Sequence, residues 1–183
     1  AAAQILIDLQ KVLNQNKPET TPSVLAFGKI VANGAHNVIP SEVKVYGTFR
    51  TFDEKWRTTV HQLIKDTSKK TAEKFHTHCK VIIDSGYPVL TNNTIATTLA
   101  RQAAIEYLGK ENVVELNTRM TVEDFARYGQ MVPACFYRLG TGNHSRGIAA
   151  SLHTPTFDVD EKSIAIGTGL MLWISLKTLQ SAK

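Results

Sequence analysis

Apolar positions recur at helical spacing from the start of the chain. Ile5, Leu9, Val12 and Leu13 share one stripe, while Gln4, Asp8, Gln10 and Lys11 lie elsewhere, which predicts an amphipathic helix. Pro18 and Pro22 end it. Residues 23–32 (SVLAFGKIVA) lose the helical period and are rich in β-formers. Residues 33–40 (NGAHNVIP) carry turn chemistry, Asn-Gly in front and a proline behind. Residues 42–52 (EVKVYGTFRTF) then alternate, with Val43, Val45, Gly47 and Phe49 on one side and Lys44, Tyr46, Thr48 and Arg50 on the other. That is the signature of a half-buried strand, and two strands joined this way predict an antiparallel pair. Asp53 can cap a long helix on which Trp56, Val60, Leu63, Ile64 and Phe75 recur. Residues 80–84 (KVIID) predict a third strand.

The order helix–strand–strand–helix–strand is a β-α-β-β-α-β unit without its first strand. Such a sheet would expose an unpaired edge; the alternative is a sheet that is simply three-stranded. After Gly86-Tyr87-Pro88, Asn93 caps a helix bearing Ile95, Leu99, Ala103 and Leu108, stopped by Gly109. Residues 112–116 and 134–139 predict short strands, and residues 122–128 a brief helix between them. A glycine-bearing loop covers residues 140–149. The last helix, from Asp160, is apolar nearly all round, as expected for a buried position. This half reads as part of a larger α/β sheet.

Composition narrows the function classes. Hydrophobic residues at 43% and charged residues at 20% exclude a mainly disordered, collagenous or disulfide-scaffold chain. Lys and Arg number 21 against 16 Asp and Glu, a net charge of +5, but the charge is spread. The densest stretch, residues 65–80, also holds Asp66 and Glu73 and reads as a solvated helix face. Without a contiguous basic patch, nucleic acid is not expected as a partner. The longest apolar stretch, residues 164–179, is broken by Gly167, Thr168, Gly169, Ser175, Lys177 and Thr178. It falls short of the ~20 apolar residues that span a bilayer, so no membrane partner is expected. Cys79 and Cys135 form no CxxC pair; they permit a disulfide without arguing for one.

Three places hold residue types suited to chemistry. The segment around residues 140–147 could be an anion-binding nest or a plain loop. Glu123 and Asp124, with His153, offer the side chains of a metal or acid–base site, although paired acids at a helix start also serve as caps. Asn37 and Arg50 flank a turn–strand unit, where Arg50 either decorates the surface or clamps a carboxylate.

In order along the chain, GKIVANGAHNVIPSEVKVYGTFRTFD, MTVEDFARY, VPACFYRLGTGN and SLHTPTFDVDEKSI resemble the metal-dependent amidohydrolases that include aminoacylase, hippurate hydrolase and the auxin-conjugate hydrolases. The likeness covers essentially the whole chain. It implies an α/β (α+β) protein of two parts. Residues 1–88 would be a ferredoxin-like lid or dimerisation domain lacking its first strand. Residues 89–183 would be the C-terminal part of a zinc-peptidase-like α/β catalytic domain. The chain opens directly in a helical pattern, and the expectation is that other segments of the enzyme precede it.

The resemblance also implies roles. His153 matches the family's last metal ligand, one of the groups around two divalent metal ions, usually zinc. Asn37 and Arg50 match lid residues that reach a substrate bound in the other subunit of a homodimer, Arg50 holding its carboxylate and Asn37 donating to the oxyanion. Gly140, Gly142 and Asn143 match a loop near the substrate. Thr121 stands where the family often has glycine, a small departure affecting local packing. The larger departure is the lack of any counterpart to the His-x-Cys-Gly-His-Asp segment, the paired glutamates and the lid histidine. One histidine does not hold zinc in a catalytic geometry, which takes about three protein ligands. The expectation is therefore a parent enzyme that hydrolyses an N-acyl amino acid or related small amide. This chain alone would be inactive and hold metal weakly or not at all. The alternative is a non-catalytic dimerisation or binding module related to the lid. A cytoplasmic location is expected, with a secreted or periplasmic one left open.

Overall fold

The computed structural model describes residues 1–181. Its first helix, α1 (Ala2–Asn16), turns Leu9 and Leu13 inward. The strands β1 (Ser23–Val31) and β2 (Lys44–Thr51) pair antiparallel, with Leu25 opposite Phe49 and Val24 opposite Arg50. The register shifts between Phe27 and Lys29, so Gly28 is left over as a bulge. That slip sets Lys29 opposite Tyr46, its ammonium 5.5 Å from the ring centre. Gly47 has to be small: a Cβ there would lie 2.7 Å from the Ala26 carbonyl and 2.8 Å from the Phe27 ring.

The long helix α2 (Glu54–Lys74) starts where Asp53 accepts the Trp56 N–H at 2.8 Å, the cap its sequence predicts. Both helices lie on the pair of strands. Leu13, Trp56 and Val60 form the core, with Val12, Leu25, Phe49, Leu63 and Ile64 packed around it. Burying a side chain as fully as Val60 contributes about 1.5–3 kcal/mol. Asp8 ties the helices together by accepting from Thr71 at 2.7 Å and Gln4 at 2.8 Å, bonds that hold its carboxyl below the usual range.

The sheet has two strands among the described residues. Residues 80–84 keep the predicted alternation of half-buried and exposed positions but join no ladder, which corrects the third strand. Alternation reports which face is covered; a strand also needs a neighbour to exchange backbone hydrogen bonds.

The chain separates into two compact units, one made of Ala1–Val89 with Arg119–Val122, the other of Leu90–Thr118 and the residues from Glu123 onward. In the second unit α3 (Thr94–Leu108) is capped by Asn93, which accepts the Ala96 N–H at 3.0 Å, and stops at Gly109 with φ +87°. A short helix, α4 (Ala126–Gly129), follows, and α5 (Lys162–Ser181) packs on α3. The Tyr107 hydroxyl lies so close over Gly169 that a Cβ there would collide with it. Lys177 bridges to Glu106 at 2.6 Å while covering the Trp173 ring at 4.9 Å.

The predicted strands at residues 112–116 and 134–139 are absent as strands. Instead the Asn92 side chain brackets Phe136, donating to its carbonyl at 2.9 Å and accepting its N–H at 2.7 Å. One side-chain amide does there what a neighbouring strand would do. The last helix is also corrected: only Ser163 and Leu170 are buried on α5, while Ile164, Met171, Leu172 and Leu179 are exposed. A helix apolar on several faces is buried only when every face is covered, and α3 covers one.

Candidate functional site

In the first unit the turn between the strands is closed by paired hydrogen bonds between Ala35 and Val38, at 3.2 and 3.0 Å. His36 and Asn37 therefore form its tip, and both are exposed. Gly34 lets the chain fold back, since a Cβ there would sit 2.6 Å from the Val38 carbonyl. Arg50 lies on the exposed face of β2, towards the end far from this turn; from Lys44 to Arg50 the strand covers about 20 Å. No hydrogen bond joins Asn37 to Arg50 among the described residues. Arg50 instead donates to the Met120 carbonyl at 2.8 Å, which uses one of its five N–H groups.

The second unit holds the loop of residues 140–149. The backbones of Asn143 and Ile148 exchange hydrogen bonds at 2.7 and 2.9 Å, with a single 3-10 turn, His144–Arg146, between them. Gly147 takes φ +75°, the left-handed region that glycine enters without strain. Asn143 is occupied at both ends of its amide: its nitrogen donates to Asp160 through a short contact, and its oxygen accepts from Ser145 at 2.7 Å. Asp160 also takes Arg146 at 3.0 Å and the Lys162 N–H at 3.2 Å, and its own N–H donates to Thr141 at 2.8 Å. The Asn143 bond, with the Lys162 N–H and nearby cations, holds the Asp160 carboxyl below the usual range. Asp160 is thus the pin of the loop, a role that its place ahead of α5 did not reveal. Gly140 and Gly142 remain as exposed backbone on the near side of the loop.

His153 is exposed, and its backbone sits at φ +65°, a conformation that costs a non-glycine residue about 1–2 kcal/mol. Neighbouring bonds hold that turn: Thr154 donates to the Ser151 carbonyl at 2.8 Å, and Phe157 N–H to the Thr154 carbonyl at 3.1 Å. Glu123 and Asp124 stand just before α4, and neither carboxylate caps it. Among the described residues no three His, Cys, Asp or Glu side chains gather as a metal-holding set. These residues therefore do not by themselves fit a pair of divalent ions: His153 belongs to no such set. Cys79 and Cys135 are both free thiols, with burial pushing the Cys79 thiol up.

A family model described as peptidase family M20/M25/M40 matches residues 8–175. The chain belongs to that family. Curated relatives of this M20 chain include an N-acetyl-L-cysteine deacetylase from Bacillus subtilis, 33% identical over 97% of the chain and 41% of the relative. Another is an IAA-amino acid hydrolase, ILR1-like 4, from Arabidopsis thaliana, 28% identical over 100% of the chain and 42% of the relative. Among solved structures, a dinuclear metal-binding peptidase of the M20 family from Bacillus subtilis shares the fold at a TM-score of 0.77. Its identity is 23%, over 98% of this chain and 45% of that one. The chain thus spans about two fifths of the length of the curated relatives it matches. No helix among the described residues is long and apolar enough to cross a membrane.

Proposed function

We propose that this M20 chain is part of a metal-dependent amidohydrolase that cleaves the amide bond of N-acyl amino acids or related small amides. The observation that carries the reading is the family match over residues 8–175, which spans Asn37, Arg50, the 140–149 loop and His153 together. Relatives named as a deacetylase of N-acetyl-L-cysteine and a hydrolase of an amino acid conjugate supply the substrate class. Residues 1–88 correspond to a ferredoxin-like lid, represented by two paired strands and two helices among the described residues, through which two copies pair. Residues 89–183 are the C-terminal part of the catalytic domain. The division of the chain after Val89 supports this assignment.

Arg50 takes the substrate carboxylate on its planar fork, with N–H groups to spare beyond the one given to Met120. Asn37, at the exposed tip of its turn, donates its amide to the oxygen on which charge develops. Gly140 and Gly142 present backbone to the substrate, while Asn143 keeps the loop in shape through Asp160. His153 offers an imidazole to one of the two divalent ions, zinc in this reading; the remaining ligands and the general base lie outside these residues. The isolated chain is accordingly inactive.

The test is hydrolysis by the full-length enzyme. Arg50→Ala lowers kcat/KM on substrates with a free α-carboxylate by about 100-fold, the scale of a lost charge-assisted pair, and far less on their esters. Equal losses on both substrates would remove Arg50 from carboxylate recognition. A full-length protein that dimerises but cleaves no acyl amino acid would favour a non-catalytic binding module.

A further inference from the structure

The first unit grips the chain twice where it departs from the predicted strand order. Residues 85–89, the last before the second unit begins, are held against the start of α2. Arg57 donates to the Tyr87 carbonyl at 2.7 Å and the Ser85 carbonyl at 3.1 Å through Nη1. Its Nη2 meets Glu54 Oε2 at 2.6 Å, and Glu54 Oε1 accepts the Val89 N–H at 2.7 Å. The Arg57 side chain is 19% exposed and that of Glu54 45%, so the guanidinium is shielded while the carboxylate stays hydrated. Gly86, at φ +61°, lets the chain turn between the two carbonyls. The second grip is Arg50 on Met120, within the short return Arg119–Val122.

Helix α2 would stand without the Glu54–Arg57 pair, since Asp53 already caps it. Both charges are instead turned onto backbone groups of one loop. Three of that loop's polar backbone groups are satisfied by two side chains one helical turn apart on a rigid element. A loop held in this way is tied to α2 as far as Val89, the last residue of this stretch of the first unit.

We propose that Glu54 and Arg57 are a positioning pair: they weld residues 85–89 to α2 and so place the hinge of the lid immediately after Val89. The inference rests on the reading of Ala1–Val89 as the lid, because a hinge matters only if a lid closes. Arg50 provides the second fixed point at Met120, and the carboxylate-binding side chain therefore also holds the returning strand of chain.

Two measurements test this. Hydrogen–deuterium exchange on the 183-residue chain compares wild type, Arg57→Ala, Arg57→Lys and Glu54→Ala. The proposal expects the Val89 amide, whose N–H donates to Glu54, to exchange about tenfold faster in the two alanine variants, the scale of a lost charge-assisted bond, with peptides of α1 and the α2 centre unchanged. Arg57→Lys recovers part of the protection. Unchanged protection of the Val89 amide in both alanine variants would overturn the weld. In the full-length enzyme, Arg57→Ala lowers kcat about tenfold well below its melting temperature, and Arg57→Lys restores part of it, as for a hinge whose closure limits turnover. A loosened loop with unaltered kcat and KM would overturn the positioning role. A wild-type enzyme without amidase activity would instead refute the functional reading, and the exchange result would still decide the weld.

Discussion

The two units of this chain treat similar hydrophobic patterns in opposite ways. In the first, Leu13, Trp56 and Val60 face one another, and the inward side of β1 and β2 closes over them. In the second, α5 is more apolar than either helix of the first unit, yet Met171, Leu172, Leu176 and Leu179 are exposed. Periodicity therefore reports which residues need cover, and only the rest of the fold decides whether they receive it. The first unit gathers its core from one face of each element, although Ile7, Val24 and Ile30 stay exposed outside it. The second has a helix with more apolar faces than α3 can take.

The largest expected effect attacks the first unit's core. Trp56→Ala should cost about 3–5 kcal/mol, because it empties a site 6% exposed and strands Ser23, which accepts the indole N–H. Thermal or denaturant unfolding checks it. A loss below about 1 kcal/mol would mean that the core is not where Leu13 and Val60 place it.

Helix α5 serves as its own control in the second unit. Leu170→Ala, at a position 3% exposed, should cost about 2–3 kcal/mol, whereas Leu172→Ala, 61% exposed, should stay within about 0.5 kcal/mol. Equal losses from the two would show that the exposed side of α5 is covered in solution and would dissolve the contrast between the units.

A smaller effect concerns the 140–149 loop. Its pin, Asp160, has a folded-state carboxyl held below its ordinary value of 3.8, chiefly by Asn143. The stabilisation is thus fully present above the ordinary carboxylate range and fades as pH falls through the lowered folded value. Amide exchange at Ile148, whose N–H donates to Asn143, should accelerate as pH falls below the ordinary carboxylate range, after correction for intrinsic rates. Asp160→Asn should flatten that dependence. A profile unaffected by the substitution would assign the loop's order to another group.

These contrasts also show what could be read from the chain. Helices α1, α2 and α3, their caps at Asp53 and Asn93, and the pairing of β1 with β2 follow from spacing and turn chemistry that act locally. The Gly28 bulge was hidden, because an extra residue in one strand leaves the alternation on either side intact. Residues 80–84 alternate like a strand and lack only a neighbour, which no local pattern encodes. Around the site, the exposure of Arg50 followed from its place on the polar side of β2. Its bond to Met120, the Asp160 pin and the Glu54–Arg57 weld join positions far apart in sequence or buried in an ordinary helix start. Short-range patterns carry no record of such bonds.

Titration of the 183-residue chain with zinc, followed by calorimetry, bears most directly on the claim that it supplies one ligand to a metal centre completed by other parts of an M20 hydrolase. The account predicts weak binding without a two-ion stoichiometry, diminished further by His153→Ala. Tight binding of two ions per chain, indifferent to that substitution, would contradict it.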